Sequence, residues 1–123
     1  MVESKIFSHL STTTAITVTQ SVSSRIYPMW LPQETGFPAI SYTRVAGNQQ
    51  YNLQGYSSME NPLIQIDVWA TTYKAAKDIS SAVHTAMQTA PGFKAILRDD
   101  TDFYEDEIEV YRVSMDFSCW NRE

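Results

Sequence analysis

The chain has 123 residues and a mass of 14.0 kDa, with 43% hydrophobic and 19% charged residues, which is typical of a globular protein and argues against intrinsic disorder. Its length predicts a single domain spanning residues 1–123. The net charge is −5 and the nine basic residues are scattered along the chain, which argues against a protein that grips nucleic acid, because phosphate neutralisation needs clustered Lys and Arg.

The sequence shows no pattern of a targeting signal. No apolar run approaches the roughly 20 residues of a membrane helix, and the N-terminus lacks the basic start and apolar stretch of a signal peptide. The single cysteine, Cys119, has no second cysteine in the chain to pair with, so the chain is compatible with a reducing compartment. We therefore expect a soluble cytoplasmic product with no membrane partner.

The first quarter of the chain predicts short elements. Apolar residues at helical spacing predict a helix over residues 2–10. In the Thr-rich segment 11–24, β-branched residues favour a strand, whereas the spacing of the apolar positions also allows a short helix. Residues 25–28 are predicted to be an extended stub, and residues 29–38 a loop marked by prolines and a glycine.

The middle of the chain carries the clearest signals. Strands are predicted over residues 39–46 and 63–70, and the polar segment 47–61 between them predicts a long hairpin or a functional loop. Thr71 or Thr72 can cap the helix that follows. The apolar stripe of this helix comprises Ala76, Ile79, Val83, Ala86, Met87 and Ala90, and Pro91 with Gly92 ends it.

The last third of the chain predicts a strand over residues 93–98, an acidic turn, and a closing strand over residues 107–121. In the closing strand, one face is apolar and the other polar, because side chains alternate with period two. The apolar face comprises Tyr111, Val113, Met115, Phe117 and Cys119. The elements together predict an α+β fold, with a mainly antiparallel four- to five-stranded sheet and two or three helices packed on one face.

The densest charge is the acidic stretch 99–109, with seven carboxylates in eleven residues. One interpretation is a Ca²⁺ site, although the stretch lacks the alternation, central glycine and terminal Glu of an EF-hand. A second is a solvated hairpin tip whose charges hinder edge-to-edge aggregation. A third is an electrostatic surface that repels phosphates or meets a basic partner. Its candidate residues are Asp99, Asp100, Asp102, Glu105, Asp106 and Glu107.

No catalytic, cofactor-binding or metal-binding residue is predicted. His9 and His84 lack ligand partners at the usual metal-site spacing, and there is no Gly-x-Ser-x-Gly nucleophile motif. Four glycines, spread along the chain, do not form a phosphate-binding loop. We therefore expect a protein that is not an enzyme and carries no cofactor, with Cys119 as a small core residue.

Several aromatic residues lie in segments bounded by Pro or Gly, where a role in the core is less natural. We predict Trp30, Tyr51 and Tyr56 as interface residues, since Tyr and Trp are enriched at protein–protein interfaces. Ordinary packing is expected instead for Trp69 and Tyr111.

Four blocks of sequence carry a family resemblance: Arg25–Pro28, Phe37–Arg44, Ile64–Tyr73 and Tyr111–Trp120. In this order they resemble the tail completion proteins of long-tailed bacteriophages and prophages, also called tail terminators or tail-to-head joining proteins. The most specific block is Gln-Ile-Asp-Val-Trp-Ala, followed by a helix that starts near Tyr73. The resemblance covers nearly the whole chain, but it implies no function for the acidic stretch 99–109 or for segment 11–24.

The resemblance implies an α+β protomer that forms a hexameric ring on the head-proximal end of the tail tube. The implied partners are other copies of the chain, the tail tube protein and the head–tail connector or stopper. DNA would pass through the lumen of the ring without specific binding, and the protein would be found in the virion after assembly in the host cytoplasm. We place the acidic stretch in the lumen as a hypothesis.

Two alternatives remain open from the sequence. One is another neck protein, such as a head-side adaptor or stopper, built on a similar scaffold. The other is a non-virion acidic module that binds a basic protein or a metal through residues 99–109.

Overall fold

The computed structural model describes residues 2–17, 22, 25–32, 36–46, 49–52, 55–90 and 92–122. Within them the chain forms three helices and seven strands. The helices are α1 (Val2–Thr12), α2 (Thr14–Thr17) and α3 (Tyr73–Gln88). The strands are β1 (Ile26–Pro28), β2 (Ala39–Ala46), β3 (Gln49–Asn52), β4 (Gly55–Glu60), β5 (Leu63–Ala70), β6 (Lys94–Glu105) and β7 (Val110–Arg122).

The predicted fold class is confirmed. Five strands form the main sheet in the order β1-β2-β5-β7-β6, in which every pair is antiparallel except β1 with β2. Helix α3 packs on β5, β6 and β7, and α1 packs on β1, β2 and α3, so both cover the same face. We call the other face of the sheet the open face.

Strand β7 lies between β5 and β6 in this sheet and pairs with both along most of its length. Val113, Met115, Phe117 and Cys119 are buried against the helices, as the alternating pattern predicts. The even-numbered residues from Arg112 to Ser118 lie on the open face and are half-buried. The rest of the core comprises Val2, Ile6, Leu10, Ile16, Val22, Ile26, Ile40, Ile64, Ile66, Val68, Ala70, Ala76, Ile79, Val83, Ala86, Met87 and Phe93.

The segment between β2 and β5 is a hairpin, the first of its two predicted alternatives. Strands β3 and β4 pair with each other, and they continue the ladder that β2 makes with β5. At the base of the hairpin, Met59 and Glu60 pair with Arg122 and Asn121 of β7. This register is continuous with the pairing of β5 and β7, so β4 and β5 follow one another along one side of β7.

Segment 11–24 contributes residues 11 and 12 to the end of α1 and residues 14–17 to α2, whereas Thr13 and Val22 lie outside the helices. Residues 18–21, 23 and 24 lie outside the described part of the chain. The predicted end of the strand at residue 98 is wrong, because β6 continues to Glu105. The turn occupies residues 106–109, where Glu109 has a positive φ of 54°, so β7 begins at Val110 rather than at residue 107. The poor strand propensity of Asp is overridden here because the whole segment pairs with β7.

The cap of α3 provides a direct test of the helix boundary. The hydroxyl of Thr72 accepts a hydrogen bond from the N–H of Ala75 at 3.1 Å. We expect Thr72→Ala to lower the free energy of unfolding by about 1 kcal/mol, measured by urea denaturation, because the first turn loses this acceptor. The matched control is Thr71→Ala, which leaves the cap in place; an equal loss in both variants would contradict the assignment.

Candidate interaction surfaces

The acidic stretch does not form one patch. A β-bulge between Leu97 and Asp99 shifts the alternation of β6 by one residue. Asp99 and Glu105 therefore lie on the open face, opposite Asp116 and Val110 of β7, whereas Asp100 and Asp102 lie on the side of the helices. Asp106 and Glu107 are exposed in the turn. The predicted electrostatic surface is thus divided between two faces and a turn.

On the helix side, Asp102 links β6 to the start of α3. Its carboxylate accepts a hydrogen bond from the Tyr73 hydroxyl at 2.8 Å and forms an ion pair with Lys77 at 3.2 Å. The hydrogen bond from Tyr73, assisted by Lys77, lowers the pKa of Asp102 below its ordinary value of 3.8. The same contacts raise the pKa of Tyr73 and of Lys77. The Asp102 carboxylate therefore stabilises the packing of β6 against α3 within the chain.

A cluster of aromatic and acidic side chains around Arg112 occupies the open face, and the sequence alone does not predict it. The guanidinium of Arg112 lies 4.3 Å from the ring centre of Phe103 and 5.3 Å from that of Trp69. It also pairs with Glu105 at 2.9 Å and with Asp67 at 3.6 Å. Phe103 and Trp69 are the register partners of Arg112 on the two neighbouring strands. The cation–π contacts can therefore be predicted only once the strand register is known.

Beside this cluster, two carboxylates face each other across β6 and β7. Asp99 and Asp116 are register partners, and like charges in this position destabilise a sheet. Burial, together with Asp99 and Asp67, raises the pKa of Asp116. Arg112 balances Asp67 and Glu105, and Arg98 lines a pocket of the open face together with Asp116.

Trp30 lies near the β1 edge of the sheet, in the loop after β1. Its side chain is 80% exposed, and that of the neighbouring Met29 is 72% exposed. Met29 has a positive φ of 66°, and its N–H donates to the carbonyl of Tyr42, which holds the loop to β2. This placement agrees with the expectation that Trp30 lies outside the core, in a loop.

An apolar groove of ≈ 440 Å³ runs beside this loop. Its walls include Phe7 of α1, Pro28, Met29 and Tyr42, whose ring lies 6.2 Å from that of Phe7. At one side, Arg44 makes two hydrogen bonds to the Glu3 carboxylate, at 2.8 and 3.0 Å, which join α1 to β2. Met29 is part of the groove wall and is followed directly by the exposed Trp30, so both features lie near the β1 edge of the sheet.

The other aromatic residues singled out from the sequence lie in different surroundings. Tyr51 and Tyr56 are register partners in the hairpin of β3 and β4, and their side chains lie outside the described part of the structure. Trp69 is half-buried and donates from its indole nitrogen to Ser41 at 3.4 Å. The Tyr111 ring contacts the tilted ring of Tyr104, with ring centres 4.9 Å apart, and meets the Tyr73 ring edge-on, with ring centres 5.8 Å apart. Trp69 and Tyr111 therefore pack within the protein, as predicted.

The described residues contain no group of three His, Cys, Asp or Glu side chains able to hold a metal ion. Cys119 is buried in the core, as predicted. The His9 ring is within hydrogen-bond distance of the Ala86 carbonyl, and His84 contacts the ring of Phe117. Among the helices described, none is long and apolar enough to cross a membrane.

Comparisons with known proteins identify a family from the sequence and a shared fold from the structure. The family model for tail completion protein gp17 matches residues 4–122. A chain in the solved structure "Virion of native gene transfer agent (GTA) particle" superposes with a TM-score of 0.74 at 12% identity, covering 99% of this chain and 95% of the other. At this identity the likeness establishes the fold alone. No curated protein matches the sequence.

The contacts of Asp102 predict a pH dependence of stability. Because its pKa is lowered in the folded chain, its contribution is complete above the ordinary value of 3.8 and is lost as the pH falls through the lowered value. We expect Asp102→Asn to reduce the free energy of unfolding at neutral pH by on the order of 0.5 kcal/mol, since an exposed pair is screened by solvent. The difference from wild type should vanish in acid.

The measurement is urea denaturation at several pH values. Asp106→Asn, a change of the same kind in the exposed turn, is the matched control and should follow wild type throughout. A difference between wild type and Asp102→Asn that persists at low pH would contradict the assignment.

Proposed function

Because the chain belongs to the tail completion protein gp17 family, we propose that it is a structural protein of a phage-like virion. In this role it forms a ring on the head-proximal end of the tail tube, stops tube polymerisation and joins the tail to the head connector. The observation that carries the proposal is the family match, which extends over residues 4–122 and so involves nearly the whole chain. The fold shared with a chain of a gene transfer agent virion supports it.

A stoichiometric role in assembly fits the surface of the protein. Trp30 is an exposed large aromatic side chain, and a Trp that becomes buried on binding is a common source of binding energy at interfaces. Together with the groove beside it, Trp30 offers an apolar contact area. Tyr51 and Tyr56 lie on a hairpin that extends beyond the pairing of β4 with β7. We propose all three residues as contacts between virion proteins.

The open face is our proposed lining of the ring lumen. It carries the carboxylates of Asp67, Asp99, Glu105 and Asp116, two of which pair with Arg112, and it also carries the cations of Lys94 and Arg98. With four carboxylates and three cations, this face lacks the excess of positive charge that holds phosphates, so DNA passes without binding. Asp100 and Asp102 lie on the helix side, and this narrows the hypothesis drawn from the sequence, which treats the whole acidic stretch as one surface.

The alternatives differ in how well the contacts support them. An acidic module that binds a basic protein is disfavoured because Asp102 and Glu105 are already paired with Lys77 and Arg112 of the same chain. A head-side adaptor or stopper is a neighbouring role on the same scaffold, and the stage at which assembly stops without the protein distinguishes the two.

The first test is electron microscopy of lysates from a phage or prophage in which the gene for this chain is disrupted. We expect DNA-filled heads beside detached tails, many of abnormal length, because tube growth is not stopped and joining fails. Complete infectious particles would contradict the proposal. Tails of normal length that remain unattached would favour a head-side neck protein instead.

Complementation of the disrupted gene then tests the interface residues. Trp30→Ala should fold normally, since this side chain is 80% exposed, yet restore fewer joined particles than wild type. The matched control is Ile108→Ala, which removes an exposed apolar side chain from the turn at residues 106–109. Equal numbers of joined particles with Trp30→Ala and with wild type would remove Trp30 from the proposed contacts.

The lumen hypothesis predicts an effect on DNA passage. Reversing the charge of the open face with Asp99→Lys and Asp116→Lys should slow DNA release while particles still assemble, because the new cations attract phosphates. The measurement is the rate of DNA release from purified particles after triggering. Asp78→Lys on α3, in the helix layer, is the matched control. If particles that carry both substitutions release DNA at the wild-type rate, the open face does not line the lumen.

A further inference from the structure

The main sheet ends in two unlike edges on opposite sides. On one side, β6 pairs with β7, and no other described strand pairs with it. On the other side, β1 covers β2 only from Ile40 to Tyr42. Beyond Tyr42, the outer edge of β2 and then β3 has no strand partner among the described residues. We call these the β6 edge and the β2–β3 edge.

The β6 edge is long and acidic. It has twelve residues, and Arg98 to Tyr104 are all exposed. Long exposed edges invite pairing with another strand, and charges and bulges usually limit this. Here Asp99, Asp100 and Asp102 would oppose one another if two β6 edges met, which disfavours pairing of like edges.

The β2–β3 edge has the opposite character. Between residues 43 and 52 the sequence contains no Asp or Glu. The guanidinium of Arg44 is held by Glu3 of the same chain, and Val45 is exposed. Because this edge carries no carboxylate, it does not repel the acidic β6 edge of a second copy as another β6 edge would.

We propose that the β6 edge of one protomer pairs with the β2–β3 edge of the next, so that the sheet continues from subunit to subunit. The inference rests on the ring in the proposed function and specifies the contact that builds it. Two different edges on opposite sides make a head-to-tail contact, which is the kind that closes into a ring.

The strand directions support this pairing. Each of the steps from β2 to β5, from β5 to β7 and from β7 to β6 is antiparallel, so β6 runs opposite to β2. Rotation about an axis along the strands leaves their directions unchanged. The β6 edge therefore meets the neighbouring β2–β3 edge antiparallel, the more stable arrangement.

Cysteine crosslinking in assembled particles tests the contact. Two double variants, Val45→Cys with Thr101→Cys and Val45→Cys with Ile96→Cys, place one thiol on each edge at exposed positions. Two positions on β6 sample different registers between the subunits. Purified particles are treated with a short thiol-to-thiol crosslinker and run on a denaturing gel. The native Cys119 is buried and should not react.

We expect at least one double variant to give a ladder of covalent oligomers, and each single variant to stop at the dimer or monomer. The matched control, Val45→Cys with Ser81→Cys on the exposed side of α3, should give no ladder. Rings visible by microscopy without a ladder from either edge pair would overturn the pairing and leave the proposed function intact. Particles without any ring would refute the proposed function itself.

Discussion

The pairing of β7 on both of its sides is the constraint on which the rest of the structure depends. Its apolar face closes the core beneath α3, and its polar face carries Arg112 at the centre of the open face. Because side chains alternate strictly along a strand, a slip of one residue would exchange these two faces. The register of β7 with β5 and β6 therefore determines both the packing of the core and the chemistry of the surface.

The elements with strong periodicity were predictable. Strands β2 and β5 and helix α3 follow from alternation, from the apolar stripe and from a threonine cap. The continuation of β6 through Asp99, Asp100 and Asp102 was not, because local propensity opposes it and pairing with a distant strand overrides that propensity. The Arg112 cluster could not be predicted for a related reason, since the sequence does not reveal which residues lie opposite each other.

The carboxylates show how one run of sequence can serve two purposes. Asp102 supports the start of α3 through Tyr73 and Lys77, and Glu105 holds Arg112. Asp99 and Asp116 instead face each other with a cost to the fold. A cost of this kind is compatible with selection for carboxylates on the open face, which offset its cations in the proposed lumen.

The bulge at Arg98 also affects how the family can vary in length. Strand β6 contains one residue more there than β7 does, so loss of that residue would restore a regular ladder. Leu97 would still face the helices and Asp99 the open face. Single-codon deletions at this point are therefore compatible with the fold, and homologous chains are free to differ by one residue here without redistributing their charges.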